Sequence, residues 1–343
     1  MTSVNQPSPR ECHELWTGIV KRPPFTELEQ RYSLTKFDNL LHADTLNVLK
    51  SELPTIEGSL RGQASHDVSW VPLKISQRGQ ASHDVSGVPL KTSQRGQASK
   101  DGFEFTFKCQ DSMPETGDYY ETIIFKDRVI PTRPNSWHDL FNGLVWLNFP
   151  KTKTLLNRWH VEDIQSYGLT PRTHRRNQIT LFDECGIVLA VSDSRVCEHL
   201  ANHQWQKVFI EDRHKWDNQD AMFNDEINAV FNMDCHVNSH EHKPQIKAFV
   251  FGHANYEMLL NPFIGLTGKW LPIKVDDRFF AENHTRQLST LDSSLYDLLC
   301  CKNSLSDSGK LSPIPLLGIP GWYSQNQSRE FYLNQDYFRP ARS

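Results

Sequence analysis

At 343 residues the chain is long enough for one large domain or two small ones. Hydrophobic residues at 38% and charged residues at 23% describe a rather polar globular protein, and nineteen Phe with nine Trp supply the bulk for a sizeable core. A formal charge of -4 argues against a general nucleic-acid binder, whose affinity rests on neutralising phosphates.

Residues 1–16 carry Pro, Ser and acidic side chains where a secretory signal would have basic residues and then an apolar run. No stretch reaches the ~18–20 apolar residues that span a bilayer, so no membrane segment is expected. Seven cysteines, an odd number without CxxC pairing, fit reduced structural thiols and a cytoplasmic address. Oligomeric state is left open.

Pro7, Pro9, Pro23 and Pro24 make residues 1–35 read as a loosely ordered lead. Residues 36–60 follow as a helical lead packing on the main domain, with Leu40, Leu41, Leu46 and Leu49 on one side of a helix over 38–49. Next come two nearly identical 17-residue units, RGQASHDVSWVPLKISQ from Arg61 and RGQASHDVSGVPLKTSQ from Arg78, and a truncated third from Arg95. Structural repeats share an apolar skeleton and diverge elsewhere. Here polar residues are copied too, and the two units share only two Val and one Leu as firm apolar anchors to offset the entropy of ordering them. A disordered tandem-repeat insert over 61–100 is the expectation, ahead of a binding array built on His66, His83, Asp67 and Asp84.

The main globular domain, 101–343, is more regular. Phe103, Phe105 and Phe107 alternate with polar residues as in a half-buried strand. Residues 119–125 form a second strand or a short helix. Ser136 caps a helix over 137–148 that Pro150 stops, and another helix runs over 152–164. Segments 178–183 and 187–191 flank DECG as a hairpin, with Gly186 in a left-handed conformation. Asp193 caps a helix to about 202 that continues over 203–212. A polar loop over 213–244, a helix over 249–260, a strand over 270–275 and a helix over 291–301 complete the plan. The tail from 312 wraps in extended form. The class is α+β: a helix-rich single domain with short antiparallel strands.

Six segments carry a resemblance: YYETII at 119–124, PTRPNSWHDLFNGLVWLNFPKTKTLLN at 131–157, ITLFDECG at 179–186, FGHANYEMLLNPF at 251–263, PIPLLGIPGWY at 313–323 and FYLNQDYFRP at 331–340. In this order they resemble the bacterial domain of unknown function 3025 family over roughly 100–343. The resemblance implies kinship and leaves the reaction to be read from side chains.

His138, Asp139 and Asn142 open a helix, with His138 and Asn142 on one face. In a first turn the helix dipole disfavours imidazolium, and a neutral imidazole is what a metal or a general base requires. The plainer role for Asp139 is capping with Ser136. His253 and Glu257, four apart, aim at one point, and Gly252 permits close backbone approach. Asp183 and Glu184 add carboxylates, or are turn residues only. His160, on the next helix, is placed to join His138.

Cys235, His236, His240 and His242 have soft-metal spacing inside a polar stretch. Arg172, His174, Arg175 and Arg176, with Lys151 and Lys153, form a basic run suited to an anion or simply to solvent. Ile319–Tyr323, with Trp322, floors a pocket or seals the core.

These residues define one functional expectation. A divalent metal on His138, His253 and Glu257, with Asp139, Asn142, Asp183 and Glu184 as further catalytic groups, would serve a hydrolase of an anionic small molecule. Arg133 and Arg176 would hold the anion and Trp322 the substrate. The rival is a non-catalytic binding or scaffold protein, in which the same groups cap helices and tie down the tail. A nucleic-acid role for the 172–176 run is the weakest reading.

Overall fold

In the computed structural model, which describes residues 8–53, 104–217, 243–302, 305 and 311–341, the N-terminal prolines start and punctuate helices. Pro9 opens α1 (Pro9–Ile19), where its missing N–H costs nothing. Ser8 and Glu11 close a capping box around it. Pro23 and Pro24 fall between α1 and α2 (Phe25–Tyr32). Trp16, Phe25, Leu28 and Leu34 are at most 1% exposed. The described part of this lead, from Ser8, is thus helical and packs its apolar side chains into the core, which the breaker prolines alone do not suggest. In α3 (Ala43–Glu52) Leu46 and Leu49 face inward, as their spacing predicts. The repeat over 61–100 lies outside the described residues.

Strand β1 (Thr106–Cys109) pairs in parallel with β2 (Val129–Thr132). Between them the 119–125 segment resolves to a helix, α4 (Tyr120–Asp127). Ser136 caps α5 (Trp137–Asn148) through the Asp139 amide, and Pro150 starts α6 (Pro150–Tyr167) directly behind it.

The expected DECG hairpin is absent. Thr173 caps a helix, α7 (His174–Cys185), that runs straight into β3 (Gly186–Val191). Ile179 and Phe182, three apart and fully buried, supply the helical stripe. Gly186 has φ -67°, so no left-handed turn is needed there. The glycine answers to space instead, since a Cβ would lie 2.4 Å from the Phe182 carbonyl oxygen.

After α8 (Arg195–Ala201) the chain does not continue as regular helix. His203 turns it at φ 53°, and Lys207–Glu211 forms a π-helical turn. Residues 218–242 of the expected 213–244 loop, with Cys235, His236, His240 and His242, lie outside the described residues.

The segment expected as one helix over 249–260 divides into β4 (Ile246–Val250) and α9 (His253–Leu260), parted at Phe251 and Gly252. Strand β5 (Thr267–Lys274), α10 (His284–Lys302) and β6 (Ser312–Pro315) follow.

The four-stranded sheet has order β4-β3-β5-β6. Strand β3 is antiparallel to β4 and parallel to β5, and β5 is antiparallel to β6. The α+β class holds, with sheets of mixed rather than purely antiparallel sense. All six residues of β3 are buried, as befits a strand covered on both faces. In the tail, Trp322, Tyr332, Tyr337 and Phe338 are buried, and Trp322 is among the aromatics that seal the core. Among the described residues no helix is long and apolar enough to cross a membrane.

Candidate metal centre

Two glycines decide where the site forms. The Phe251 and Gly252 amides both donate to the Gly186 carbonyl, at 3.0 and 2.8 Å. A Cβ on Gly252 would lie 2.3 Å from the Gly186 nitrogen and 2.4 Å from the Glu184 oxygen, so only glycine allows this crossing. The start of α9 is thereby pressed against the end of α7, placing His253 beside Asp183 and Glu184. The N-terminal turn of α5 closes the third side. Trp137 anchors that turn by stacking between Trp16 and Phe141, at 6.2 and 5.7 Å.

The result is a convergence of imidazoles. His138 Nε2 and His253 Nε2 are 3.0 Å apart, with the rings edge to face at 82°. Glu184 Oε2 stands 3.3 Å from His253 Nε2. One ligand atom from each of His138, Glu184 and His253 lies within 4.8 Å of the others. Ligands at 2.0–2.2 Å from a tetrahedral zinc are themselves about 3.3–3.6 Å apart, close to this spacing.

Each imidazole turns its other nitrogen toward a carboxylate. His138 Nδ1 bonds Glu257 Oε2 at 2.9 Å, and His253 Nδ1 faces Asp183 Oδ2 at 3.9 Å. The Glu257 bond to His138 is the backing by which an outer carboxylate fixes the tautomer of a metal-binding imidazole, whereas His253 Nδ1 is buried without a hydrogen-bond partner.

Burial drives His253 down to about 3, helped by the charges of Lys153 and His138 and opposed by Asp183, so its ring is neutral. Burial pushes Asp183 up, but the Lys153 ammonium, then His253, outweigh it and hold the carboxyl below its ordinary value. Glu184 is raised, first by burial and then by Asp183, against the pull of His138.

The expected residues sort clearly. His138 and His253 converge, but Glu257 is the backing group of His138 and Glu184 takes the ligand position. Asp139 accepts from the Arg133 amide at 2.6 Å and from its guanidinium, and from the Ser136 hydroxyl, so it is a cap and an ion pair. Burial opposes its ionisation, and the Arg133 contacts more than offset that, leaving its pKa lowered. Asn142 accepts from Lys153 Nζ at 3.0 Å and donates to the Tyr120 hydroxyl at 3.0 Å, one layer behind the imidazoles.

Arg133 keeps a side chain 57% exposed, open to an anion. Arg176 does not: it is 1% exposed and donates to the Gly168 and Leu169 carbonyls. The basic run is accordingly no continuous surface, and Lys153 too is buried, paired with Asp183. Sequence reasoning passed over Glu121, Tyr120 and Asn157. A glutamate inside the apolar YYETII helix was the available signal. Asn157 Nδ2 donates to Glu121 Oε2 at 2.6 Å. His160 belongs to this layer and is not one of the three converging ligands.

A family model described as "Protein of unknown function (DUF3025)" matches residues 105–224 and 235–342. The chain belongs to this family. Every residue of the DUF3025 centre falls inside the matched segments. No curated protein and no solved structure matches the chain.

Proposed function

We propose that this DUF3025 chain is a metal-dependent hydrolase of an anionic small molecule, with His138, Glu184 and His253 as the metal ligands. One observation carries the reading: two imidazole Nε2 atoms and a carboxylate oxygen meet at one point, while both Nδ1 atoms face carboxylates. Two histidines and a glutamate are a ligand set of catalytic zinc sites, which keep a further position for water. A metal there supplies Lewis acidity and a bound water ionising near neutral pH, at about 7.

The protein's part is to orient and to exclude. His253, 5% exposed, anchors the inner side, while His138 and Glu184 reach the surface at 32% and 37% and leave an approach from solvent. Glu257 holds the His138 ring. Of the two arginines expected to hold the anion, Arg133 is the exposed one, its guanidinium already aligned by Asp139.

A non-catalytic network is the second reading, favoured by the 3.0 Å imidazole contact, which can be a hydrogen bond that needs no ion. Elemental analysis of the untagged protein beside a His138→Ala, His253→Ala double variant separates the two. Near-stoichiometric metal in the parent and none in the folded variant is expected, followed by turnover on a panel of small phosphoesters and carboxylic esters. No metal in either protein overturns the proposal.

A further inference from the structure

Behind the imidazoles, on the far side of Asp183, α4, α6 and α7 enclose a small chamber. It is walled by Tyr120, Glu121, Lys153, Asn157, His160 and Asp183 on its polar side. Its volume of about 10 Å³ matches the roughly 10–15 Å³ that one water requires.

The wall contains one polar group that the protein leaves unanswered. His160 is 5% exposed, and its Nδ1 is fully buried with no hydrogen-bond partner. Glu121 Oε2 accepts from Asn157, which leaves Oε1 for the chamber. Asp183 gives Oδ1 to Lys153 and keeps Oδ2 on the side of His253. A buried ring nitrogen without a partner is destabilising, and a water with two to four polar partners removes that penalty.

We propose that the chamber holds one ordered water, through which Glu121 and His160 act as positioning residues for Asp183 and, beyond it, for His253. The water donates to Asp183 and to His160 Nδ1 and accepts from the Glu121 carboxyl. That last bond needs Glu121 in its acid form, which burial and then the neighbouring Asp183 charge favour by raising it to about 7. The groups facing Glu121 fit this balance: Asp183 from α7 opposes its ionisation, while Asn157 and Lys153 from α6 and Arg172 from the preceding loop support it. The support thus runs from the water to the Asp183 carboxylate, held also by Lys153, and across a 3.9 Å electrostatic contact to the His253 ring. The effect on metal affinity rests on the centre proposed above; the water itself does not.

The test is a high-resolution crystal structure of the metal-free full chain, with two variants. His160→Phe fills the chamber, while Glu121→Gln keeps a donor where the acid stood. Density for a water bonded to His160 Nδ1, Glu121 and Asp183 is expected in the parent and in Glu121→Gln, and none in His160→Phe. Zinc affinity should drop about tenfold in His160→Phe, at the low end of outer-shell effects, and stay within twofold in Glu121→Gln at pH 6.

An empty chamber overturns the inference, and so does unchanged affinity in a folded His160→Phe protein. A parent chain that binds no zinc sinks the metal reading alone. The inference is then decided by the ¹⁵N imidazole signals of His253, which His160→Phe must shift if the water positions that ring and leaves in place if it does not.

Discussion

Gly252→Ala puts the placement of the centre to a direct test. The added methyl would sit 2.3 Å from the Gly186 nitrogen, 2.4 Å from the Glu184 oxygen and 2.5 Å from the Cys185 nitrogen, all backbone atoms that no rotamer change can move. Restoring ordinary contact requires α9 to retreat by roughly 1 Å from the end of α7, an overpacking that costs about 1–3 kcal/mol. The Phe251 and Gly252 amide bonds to Gly186 stretch with it, at about 0.5–1.5 kcal/mol each. A loss of about 3 kcal/mol is expected. His253 moves with α9, and the 3.0 and 3.3 Å spacings to His138 and Glu184 open together. Urea unfolding measures the first effect and zinc titration the second. Gly18→Ala is the control, because nothing lies within 4 Å of a Cβ at that place in α1; it should be neutral or slightly stabilising. A Gly252→Ala protein with the parent's urea midpoint and zinc affinity would show that the crossing does not set the site, and the geometry argued from it would fail.

Three further outcomes follow from the same contacts. Glu184→Gln should weaken zinc binding more than Glu257→Gln, whose loss should stay within the roughly 10–100-fold typical of an outer-shell carboxylate; calorimetric titration giving the reverse order would exchange their roles. Lys153→Met strands a mostly buried Asp183 and should cost about 3 kcal/mol, the low end for breaking a buried pair because Asp183 is 21% exposed. Adding Asp183→Asn should recover part of that loss, and additive losses in urea melts would contradict the pairing. Acid should destabilise the fold: His160, His253 and His284 lie at about 4, 3 and 3 when folded against 6.5 unfolded, so each contributes stability present above 6.5 and lost as pH falls toward the folded value. Glu121 and Asp292, at about 7 and 6, oppose this by holding protons in the folded state. Near pH 5.5 unfolding then takes up about one proton, a slope of about 1.4 kcal/mol per pH unit, and urea midpoints that do not rise from pH 5 to pH 6 would refute the balance.

The helix carrying His138 was legible because its signals are local: Ser136 before it, an apolar stripe within it and Pro150 after it. His253 and Glu257 were legible as a pair for the same reason, their spacing of four on a helix. Which carboxylate completes the centre was not. Glu184 wins that place through the crossing of two glycines far apart in sequence, Gly186 and Gly252, and through α7 continuing where DECG reads locally as a turn. That continuation is a tertiary effect, since burial of Ile179 and Phe182 on one helical face overrides the turn chemistry of Asp and Gly. The prolines misled in the opposite direction. Pro9 and Pro150 occupy the first turns of α1 and α6, where proline is at home, and the breaker rule applies only to helix interiors. Arg176 looked like surface charge in a basic run, yet the Thr173 cap fixes the helical phase that turns it inward onto the Gly168 and Leu169 carbonyls.

Most polar groups in these segments have been answered by a neighbour. Asp139 has Arg133 and Ser136, Asn142 has Tyr120 and Lys153, and Asp292 has the Lys151 and Thr152 amides. The centre differs in the kind of atom it gathers. If His138 Nδ1 donates to Glu257, its Nε2 is a bare lone pair. If His253 Nδ1 keeps its hydrogen toward Asp183, its Nε2 is a lone pair too. Two lone pairs 3.0 Å apart with a carboxylate oxygen 3.3 Å from one of them are three acceptors and no donor, an arrangement that repels itself in a partly buried site. A hydrogen carried on His253 Nε2 and donated to His138 relieves that repulsion in a neutral pair, and the metal ion of the proposed centre would relieve it as well. A hydrogen answers the two nitrogens but leaves Glu184 without a role, whereas a metal would use all three atoms and would fit the Glu257 backing of the His138 ring. The carboxylate that a hydrogen-bonded pair of histidines would not need is therefore the strongest argument for the ion.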